Sequence, residues 1–320
     1  MTREQHPEQR VDVVQDLKAA ARTSAVSAAR DLVSSLRLHQ WAKNALVLAP
    51  ALLGGKLDEA GPLVASIAAF FAFGLVASST YLINDILDAP DDRRHWSKRH
   101  RPIASGRLRV STSAAWAAAG LAAGLTLCAF ISGSALTVLL VYLGLTLSYS
   151  LGLKRLPLVD GLVLATLYTL RLALGVAASG VPPSAWLFVL SMFLFTSLGL
   201  AKRFTEIARS DIAHTETIAG RGYRREDAPV VLAVGVAAGL GAVLIMVLYI
   251  IEDAFRQTFY GSTFWLWGFP PTVFLIVCRI WLVTGRGEMN DDPVEFLLRD
   301  RASQLLAAVL VLCFGIAWLA

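Results

Sequence analysis

Charge is scarce in this chain. Only 17% of the 320 residues are charged and 56% are hydrophobic, whereas a soluble domain carries about a quarter charged and about 45–50% apolar residues. That scarcity excludes an ordinary soluble protein and indicates an integral membrane protein. Cysteine is scarce too. Cys128, Cys278 and Cys313 all fall in apolar runs without metal-type spacing, so a disulfide framework is not expected and core packing is the role assigned to each. Residues 1–30 lack the continuous apolar stretch of a signal peptide, and residues 1–35 are expected to form a polar cytoplasmic tail. The net charge of +5 resides in short loops between apolar segments, where it marks topology. No nucleic-acid partner is expected from it.

What the chain does have is apolar runs of about 20 residues, the length that crosses a bilayer as a helix. Nine stand out, near 38–55, 62–88, 112–131, 134–153, 157–179, 184–205, 228–251, 264–284 and 302–319. Lys43 and Asn44 lie inside the first, which makes it the weakest of the nine. Runs of helix length, rather than short alternating ones, favour a helical bundle over a barrel. The loop after the second run carries seven Lys or Arg residues, and the stretch 201–227 carries six. Lys154 and Arg155 follow the fourth run, and Arg286, Arg299 and Arg301 follow the eighth, while the alternate connections hold only Lys56 and Arg256. This alternation fits nine spans with the N-terminus and every polar loop on the cytoplasmic side of the inner membrane. The expected fold is an all-α membrane protein, a bundle of nine transmembrane helices formed by residues 36–320 as a single domain. Only the loop 252–263 on the outer side is long enough for a small surface helix.

The chemistry concentrates at Asn84-Asp85-Ile86-Leu87-Asp88-Ala89-Pro90-Asp91-Asp92. Asp85, Asp88 and Asp92 share a helical face if the helix continues, but Pro90 disfavours helical geometry at Ala89 and is expected to end the span there. That makes Asp92 the least secure of the three. Carboxylates this close repel one another unless a cation offsets them. Their expected partner is a divalent ion held by hard oxygens, completed by phosphate. A run of Lys and Arg follows, including Arg101, and arginine forks match phosphate geometry. Upstream, Arg37, Gln40, Trp41, Lys43 and Asn44 recur at three- and four-residue spacing. Snorkelling to the interface accounts equally for Arg37 and Trp41, and Lys43 and Asn44 are the better site candidates. Arg171 and Arg279 are read as buried within spans, where an arginine needs an anion; a ligand is favoured for Arg171 and a structural role for Arg279. Lys202 and Glu206, one helical turn apart, either pair with each other or, with Arg203, receive an anion.

These residues resemble a family. Asn84-Asp85-x-x-Asp88-x-x-x-Asp92, Arg101-Pro102-Ile103-x-x-Gly106 and Tyr149-Ser150-x-x-Leu153-Lys154-Arg155 are similar to the UbiA superfamily of intramembrane prenyltransferases over about residues 36–320. The resemblance implies a bundle enclosing a central cavity open to the cytoplasmic side. It also implies Mg²⁺ on Asp85, Asp88 and Asp92 as the catalytic metal site, and a diphosphate leaving group. The aromatic prenyltransferase branch carries a second Asp-rich motif after span six, where this chain has Lys202-Arg203-Phe204-Thr205-Glu206. Arg37-x-x-Gln40-Trp41-x-Lys43-Asn44, Lys202-Arg203-x-x-Glu206 and Asp291-Asp292-Pro293-Val294 resemble instead the decaprenyl-phosphate phosphoribosyltransferase-like branch. That branch implies 5-phosphoribose diphosphate as donor and a polyprenyl phosphate lipid as acceptor. Lys43, Asn44, Asn84, Arg101, Lys154, Arg171, Lys202, Arg203 and Glu206 are the expected substrate-binding residues. Arg37, Gln40, Asp160, Tyr168 and Arg279 stand as structural or undecided.

Exchanging a second aspartate cluster for Lys and Arg suits a reaction with additional phosphates to hold. The acceptor phosphate is itself the nucleophile, so no general base is required. Two other functions compete: transfer of an isoprenoid from its diphosphate to an aromatic or small polar acceptor, and a transporter or lipid-phosphate binding protein without catalysis. Transport is disfavoured because no inverted repeat is evident and the charges lie on one side rather than at the midplane.

Overall fold

The computed structural model describes residues 27, 29–93, 98–209, 221–257, 259–289 and 292–319. The expected tail up to residue 26, Arg94 of the basic loop and Asp291 of the Asp-Asp-Pro-Val motif lie outside these residues. The described chain is all-helical. Its α-helices are α1 (Ala49–Leu53), α2 (Ala60–Asp92), α3 (Val110–Ile131), α4 (Gly133–Leu151), α5 (Val159–Ser179), α6 (Ala185–Arg209), α7 (Ala228–Glu252), α8 (Phe269–Gly285), α9 (Pro293–Arg299) and α10 (Arg301–Leu319). Among the described residues, eight helical segments are long and apolar enough to cross a membrane. They fall on the second to ninth apolar runs, and the chain is an integral membrane protein. The connection between α7 and α8 holds two 3₁₀ turns, Ala254–Arg256 and Thr263–Gly268.

The first run, 38–55, forms no single long α-helix. Leu38–Val47 is a 3₁₀ helix followed by the five-residue α1. A 3₁₀ helix has three residues per turn, so side chains at i and i+3 align. Burial follows that period: His39, Ala42 and Ala45 are exposed, Gln40, Lys43 and Leu46 are half-buried, and in the third column Trp41 is half-buried while Asn44 and Val47 are buried. At its start Arg37 has φ 51°, a left-handed conformation that is unfavourable for a side chain other than Gly, Asn or Asp.

Pro90 does not end α2 at Ala89. The helix runs on to Asp92, and the Arg93 amide still donates to the Ala89 carbonyl at 3.2 Å. With only two helical residues beyond it, the proline forfeits one hydrogen bond near a free end, where its penalty is smallest. Asp85, Asp88 and Asp92 therefore belong to one helix.

The chain divides into two compact units. One comprises the described residues up to Ala42 with Gly74–Thr126, and the other comprises Lys43–Phe73 with Leu127–Ala320. The first has a small core of Leu82, Ala89, Ile103, Leu108 and Ala117. Gly120 lets α3 approach Ser79 of α2, since a Cβ there would meet Oγ at 2.3 Å. The second unit packs α6 between α5 and α7 around Leu200, Tyr223, Ile280 and Trp281. Gly175 of α5 sits against the Val47 carbonyl, 2.1 Å from where a Cβ would stand, and this joins α5 to the first helical stretch. The cysteines are unpaired. Cys128 is buried as expected, Cys313 is half-buried and Cys278 is exposed, its apolar run turning this residue outward.

Candidate active site

In the first unit, the loop after α2 folds back because Ile103 and Leu108 bury against Leu82 and Ala89. Backbone bonds from Arg101 to Lys98, Ser105 to Arg101 and Leu108 to Pro102 keep it tight. That fold-back carries Arg101 onto the aspartates. Its Nη1 donates to Asp85 Oδ1 at 3.1 Å and to Asp92 Oδ2 at 2.8 Å. Arg37 Nη2 reaches the same Asp85 oxygen at 2.7 Å, and its guanidinium lies over the Tyr81 ring. Asp85 and Asp92, 3% and 4% exposed, are thus each matched by arginine. Asn84 Nδ2 donates to Asp88 Oδ2 at 2.9 Å. Seven residues span almost two α-helical turns, which places Asp92 within about 20° of Asp85, with Asp88 about 60° away.

No group of three or more His, Cys, Asp or Glu side chains is gathered as a metal cage among the described residues. The donor chemistry nevertheless fits Mg²⁺, which is commonly held by one or two carboxylates, with waters and substrate phosphates completing its octahedron. Hard carboxylate oxygens on one helix face supply that number.

In the second unit, Lys43 pairs with Asp292, which also caps α9 by accepting from the Val294 amide at 3.0 Å. Burial works to raise the Asp292 pKa, but the Lys43 ammonium and its hydrogen bond outweigh it and hold the carboxyl below the ordinary value. A depressed folded-state pKa contributes stability that is complete above the unfolded value of about 3.9 and is lost as pH falls through the folded value. Asp292→Asn is therefore expected to lessen the loss of melting temperature below about pH 4. A melt series from pH 6 to pH 3 checks this.

Lys202 lies in the field of Glu206, Asp292 and Lys43 but makes no hydrogen bond or ion pair with a described residue. Glu206 bonds instead to Arg203. Arg203, 1% exposed, is occupied on every nitrogen. Nε donates to Asp160 Oδ2 at 2.5 Å and Nη2 to the Tyr149 hydroxyl at 3.2 Å, while Nη1 takes Glu206. Tyr149 also accepts from Arg221 at 2.6 Å. Tyr223 donates to Asp160 Oδ1 at 2.6 Å and accepts from the Leu158 amide at 2.8 Å. Burial and the bond to Asp160 push the Tyr223 phenol well up, keeping it a protonated donor. Leu158 itself has φ 64° with a bond from the Val159 amide to the Pro157 carbonyl, a γ-turn rarely tolerated outside a locked setting. Lys154 is half-buried in the adjoining 3₁₀ turn Leu153–Arg155.

Arg171 is 6% exposed and meets no carboxylate among the described residues. Its Nε donates to Asn44 Oδ1 at 3.1 Å and its Nη1 to the Leu167 carbonyl at 2.7 Å. Three rings surround the guanidinium: Phe73 at 4.5 Å, Tyr168 at 5.0 Å and Tyr142 at 5.7 Å. Tyr168 stacks on Phe195 and lies beneath Lys43. Gln40 is half-buried, its backbone N–H donating to the Arg37 carbonyl at 2.8 Å. Arg279, in the interior of α8, is not sealed: its side chain is a third exposed and grips Asp300 with two 2.7 Å bonds.

Sequence reasoning assigned no role to Tyr149, Arg221 or Tyr223. For Tyr149 one signal was available, its place at the head of the Tyr149-Ser150-x-x-Leu153-Lys154-Arg155 motif; the close approach of Gly222 to the Arg155 carbonyl, 2.1 Å from where a Cβ would stand, is visible only in the fold.

The sequence profile of the UbiA prenyltransferase family matches residues 46–297. The chain is 38% identical over 288 residues to the uncharacterized protein y4nM of Sinorhizobium fredii; the match covers 90% of this chain and 56% of that protein, so the chain spans about half of that relative's length. It is 31% identical over 296 residues to nodulation protein NoeC of Azorhizobium caulinodans, covering 88% of this chain and 91% of NoeC. It is also 31% identical over 295 residues to decaprenyl-phosphate phosphoribosyltransferase of Mycobacterium tuberculosis, covering 89% and 93%. Among solved structures, a UbiA homolog from Archaeoglobus fulgidus bound to DMAPP and Mg²⁺ superposes with a TM-score of 0.68 at 15% identity, over 90% of this chain and 97% of that one. At that identity the likeness concerns the fold.

Proposed function

Because this chain belongs to the UbiA prenyltransferase family, we propose that it transfers 5-phosphoribose from 5-phosphoribose diphosphate to a polyprenyl phosphate of decaprenyl type, releasing diphosphate. An acceptor phosphate oxygen attacks C1 of the ribose while the bond from C1 to the diphosphate oxygen breaks. The attacking oxygen is already anionic, so no base is needed. Bound Mg²⁺ would supply countercharge to the departing diphosphate oxygens, and Asp85, Asp88 and Asp92 are the residues that would hold it. Arg37 and Arg101, freed from the carboxylates, would turn their forks to the diphosphate.

The observation that carries this reading is the character of the α6 end. Its one acid, Glu206, is committed to Arg203, which among the described residues of this end leaves cations and no free carboxylate for a second metal. A phosphoribosyl transfer must hold two phosphates that a prenyl transfer lacks. The match to decaprenyl-phosphate phosphoribosyltransferase across most of both chains supports the same substrates. We further take 36–320 as one catalytic domain and the run 38–55 as the first of nine crossings. The N-terminus and a cavity mouth would then lie on the cytoplasmic side of the inner membrane, because the Lys- and Arg-rich connections alternate.

The second reading is prenyl transfer from an isoprenoid diphosphate, favoured by the family's description. Purified protein is incubated with Mg²⁺, polyprenyl phosphate and labelled 5-phosphoribose diphosphate, and lipid is then extracted. Label is expected in the lipid phase. Label wholly in water, with transfer from a prenyl diphosphate instead, would overturn the phosphoribosyl reading.

A further inference from the structure

We propose that Arg221-Gly222-Tyr223 is a splint for the stretch from Tyr149 to Leu158, and that Tyr223 is the positioning residue through which it fixes the turn Leu153–Arg155. The brace itself stands on geometry alone; its effect on substrate KM rests on the phosphoribosyl reading.

Burial does not hold this connection between α4 and α5 in place. Leu156, Leu158 and Val159 are all exposed. Its internal bonds are short-range, from the Arg155 amide to the Gly152 carbonyl at 2.9 Å and from the Leu156 amide to the Leu153 carbonyl at 3.2 Å. At Leu158 the backbone has φ 64° and ψ −41°, a conformation that a leucine keeps only where its surroundings over-determine it. The constraint must come from another segment.

Three consecutive residues supply it, each at a different point. Arg221 Nη1 donates to the Tyr149 hydroxyl at 2.6 Å, at the end of α4. Gly222 lies so close to the Arg155 carbonyl and the Pro157 ring that there is no room for a Cβ. The Tyr223 hydroxyl accepts from the Leu158 amide at 2.8 Å, at the strained residue itself. The contacts run in the same order along both segments, so they fix register as well as distance.

The far end of the splint is sealed. Tyr223 is buried, and its ring belongs to the core of this unit. Its hydroxyl donates to Asp160 Oδ1 at 2.6 Å, and Asp160 is locked in turn by Arg203. Arg203 also reaches Tyr149 at 3.2 Å, so both ends of the splint share one anchor. A phenol that donates one bond and accepts another has its O–H direction fixed. Lys154, an expected substrate-binding residue, sits in the turn that these bonds hold. A binding group on a loop is precise only when its supporting shell is locked. Tyr223 is assigned to act through the turn and not on a substrate.

The first test reads the turn directly, in the full-length protein in detergent without substrate. Tyr223→Phe keeps the ring and removes the hydroxyl. Amide hydrogen exchange in the segment 153–160 is expected to quicken about tenfold, the effect of one lost hydrogen bond on local opening. Met246→Ala, in the same core toward the other end of α7, should lower the melting temperature and leave that exchange unchanged. Unchanged exchange in Tyr223→Phe, or an equal quickening in Met246→Ala, would overturn the splint. The second test reads positioning in the transfer assay. Tyr223→Phe should raise KM several-fold for a phosphate-bearing substrate with kcat little changed, the mark of lost binding rather than lost chemistry. Adding Leu158→Gly should recover most of that loss, because glycine takes up a positive φ without strain. An unchanged KM in Tyr223→Phe, or no recovery in the double variant, would overturn the positioning role. Quickened exchange in a protein that shows no phosphoribosyl transfer would sink the functional reading and leave the splint standing. Transfer by the wild type with exchange unaltered in Tyr223→Phe would do the reverse.

Discussion

Asp85→Asn and Asp88→Asn are each expected to lower transferase turnover by about two to three orders of magnitude, the range seen when a preorganised electrostatic group is removed from a reacting centre. The two variants should differ in stability. Asp85 is nearly sealed and answers both Arg37 and Arg101, so its amide leaves two guanidinium groups short of charge and lowers the melting temperature. Those arginines are about a quarter exposed, and solvent screening reduces the penalty well below that of a sealed pair. Asp88 is half-buried with a bond to the neutral Asn84, and Asn is accommodated there with little thermal effect. Activity is followed by label transfer to lipid, and folding by the thermal melt. Full activity in both variants would reduce the aspartates to a charge-balanced helix end.

The second large effect is on stability. Arg203→Met should destabilise the protein by about 3–5 kcal/mol, the usual result of removing one partner from a sealed ion pair. Asp160 is fully buried and would be left facing only Tyr223 and the more distant Arg221 at 3.8 Å. Asp160→Asn should cost less, because its amide oxygen still accepts one bond. The double variant should melt above the sum of the two losses, since residues in one network couple. Lys202→Gln, one residue away, should leave the melt nearly unchanged. Arg203→Met melting like wild type while losing substrate affinity would instead make Arg203 a substrate ligand.

The long apolar helices were legible because a bilayer sets their length and little else in a sequence imitates it. The aspartate cluster was legible too: three acids and a run of basic residues at the end of an apolar helix leave few bland explanations. Four features were not. Pro90 was given too much weight, since a proline's penalty depends on how many helical bonds follow it, and here almost none do. Arg203 looks identical to Lys202 in the sequence, and what separates them is Asp160, 43 residues upstream, which only tertiary packing brings into reach. Arg279 seemed buried because its neighbours are apolar, although the helix turns it toward Asp300 at the start of α10. The hydroxyls of Tyr149 and Tyr223 could not be found from spacing, because their partners lie 54 and 63 residues away in the chain.

The 3₁₀ segment Leu38–Val47 has a consequence for how this stretch tolerates changes in length. With three residues per turn, deleting or inserting one residue rotates everything beyond it by about 120°. A single deletion before Gln40 would move Lys43 and Asn44 out of their columns together, turning the Lys43 cation toward the side that His39, Ala42 and Ala45 now present and Asn44 into the place of Lys43. In an α-helix a one-residue slip can be absorbed by neighbouring rows. Here there are only three columns, each committed to one surrounding. Functional variants should therefore keep this segment's length fixed or change it in whole turns of three.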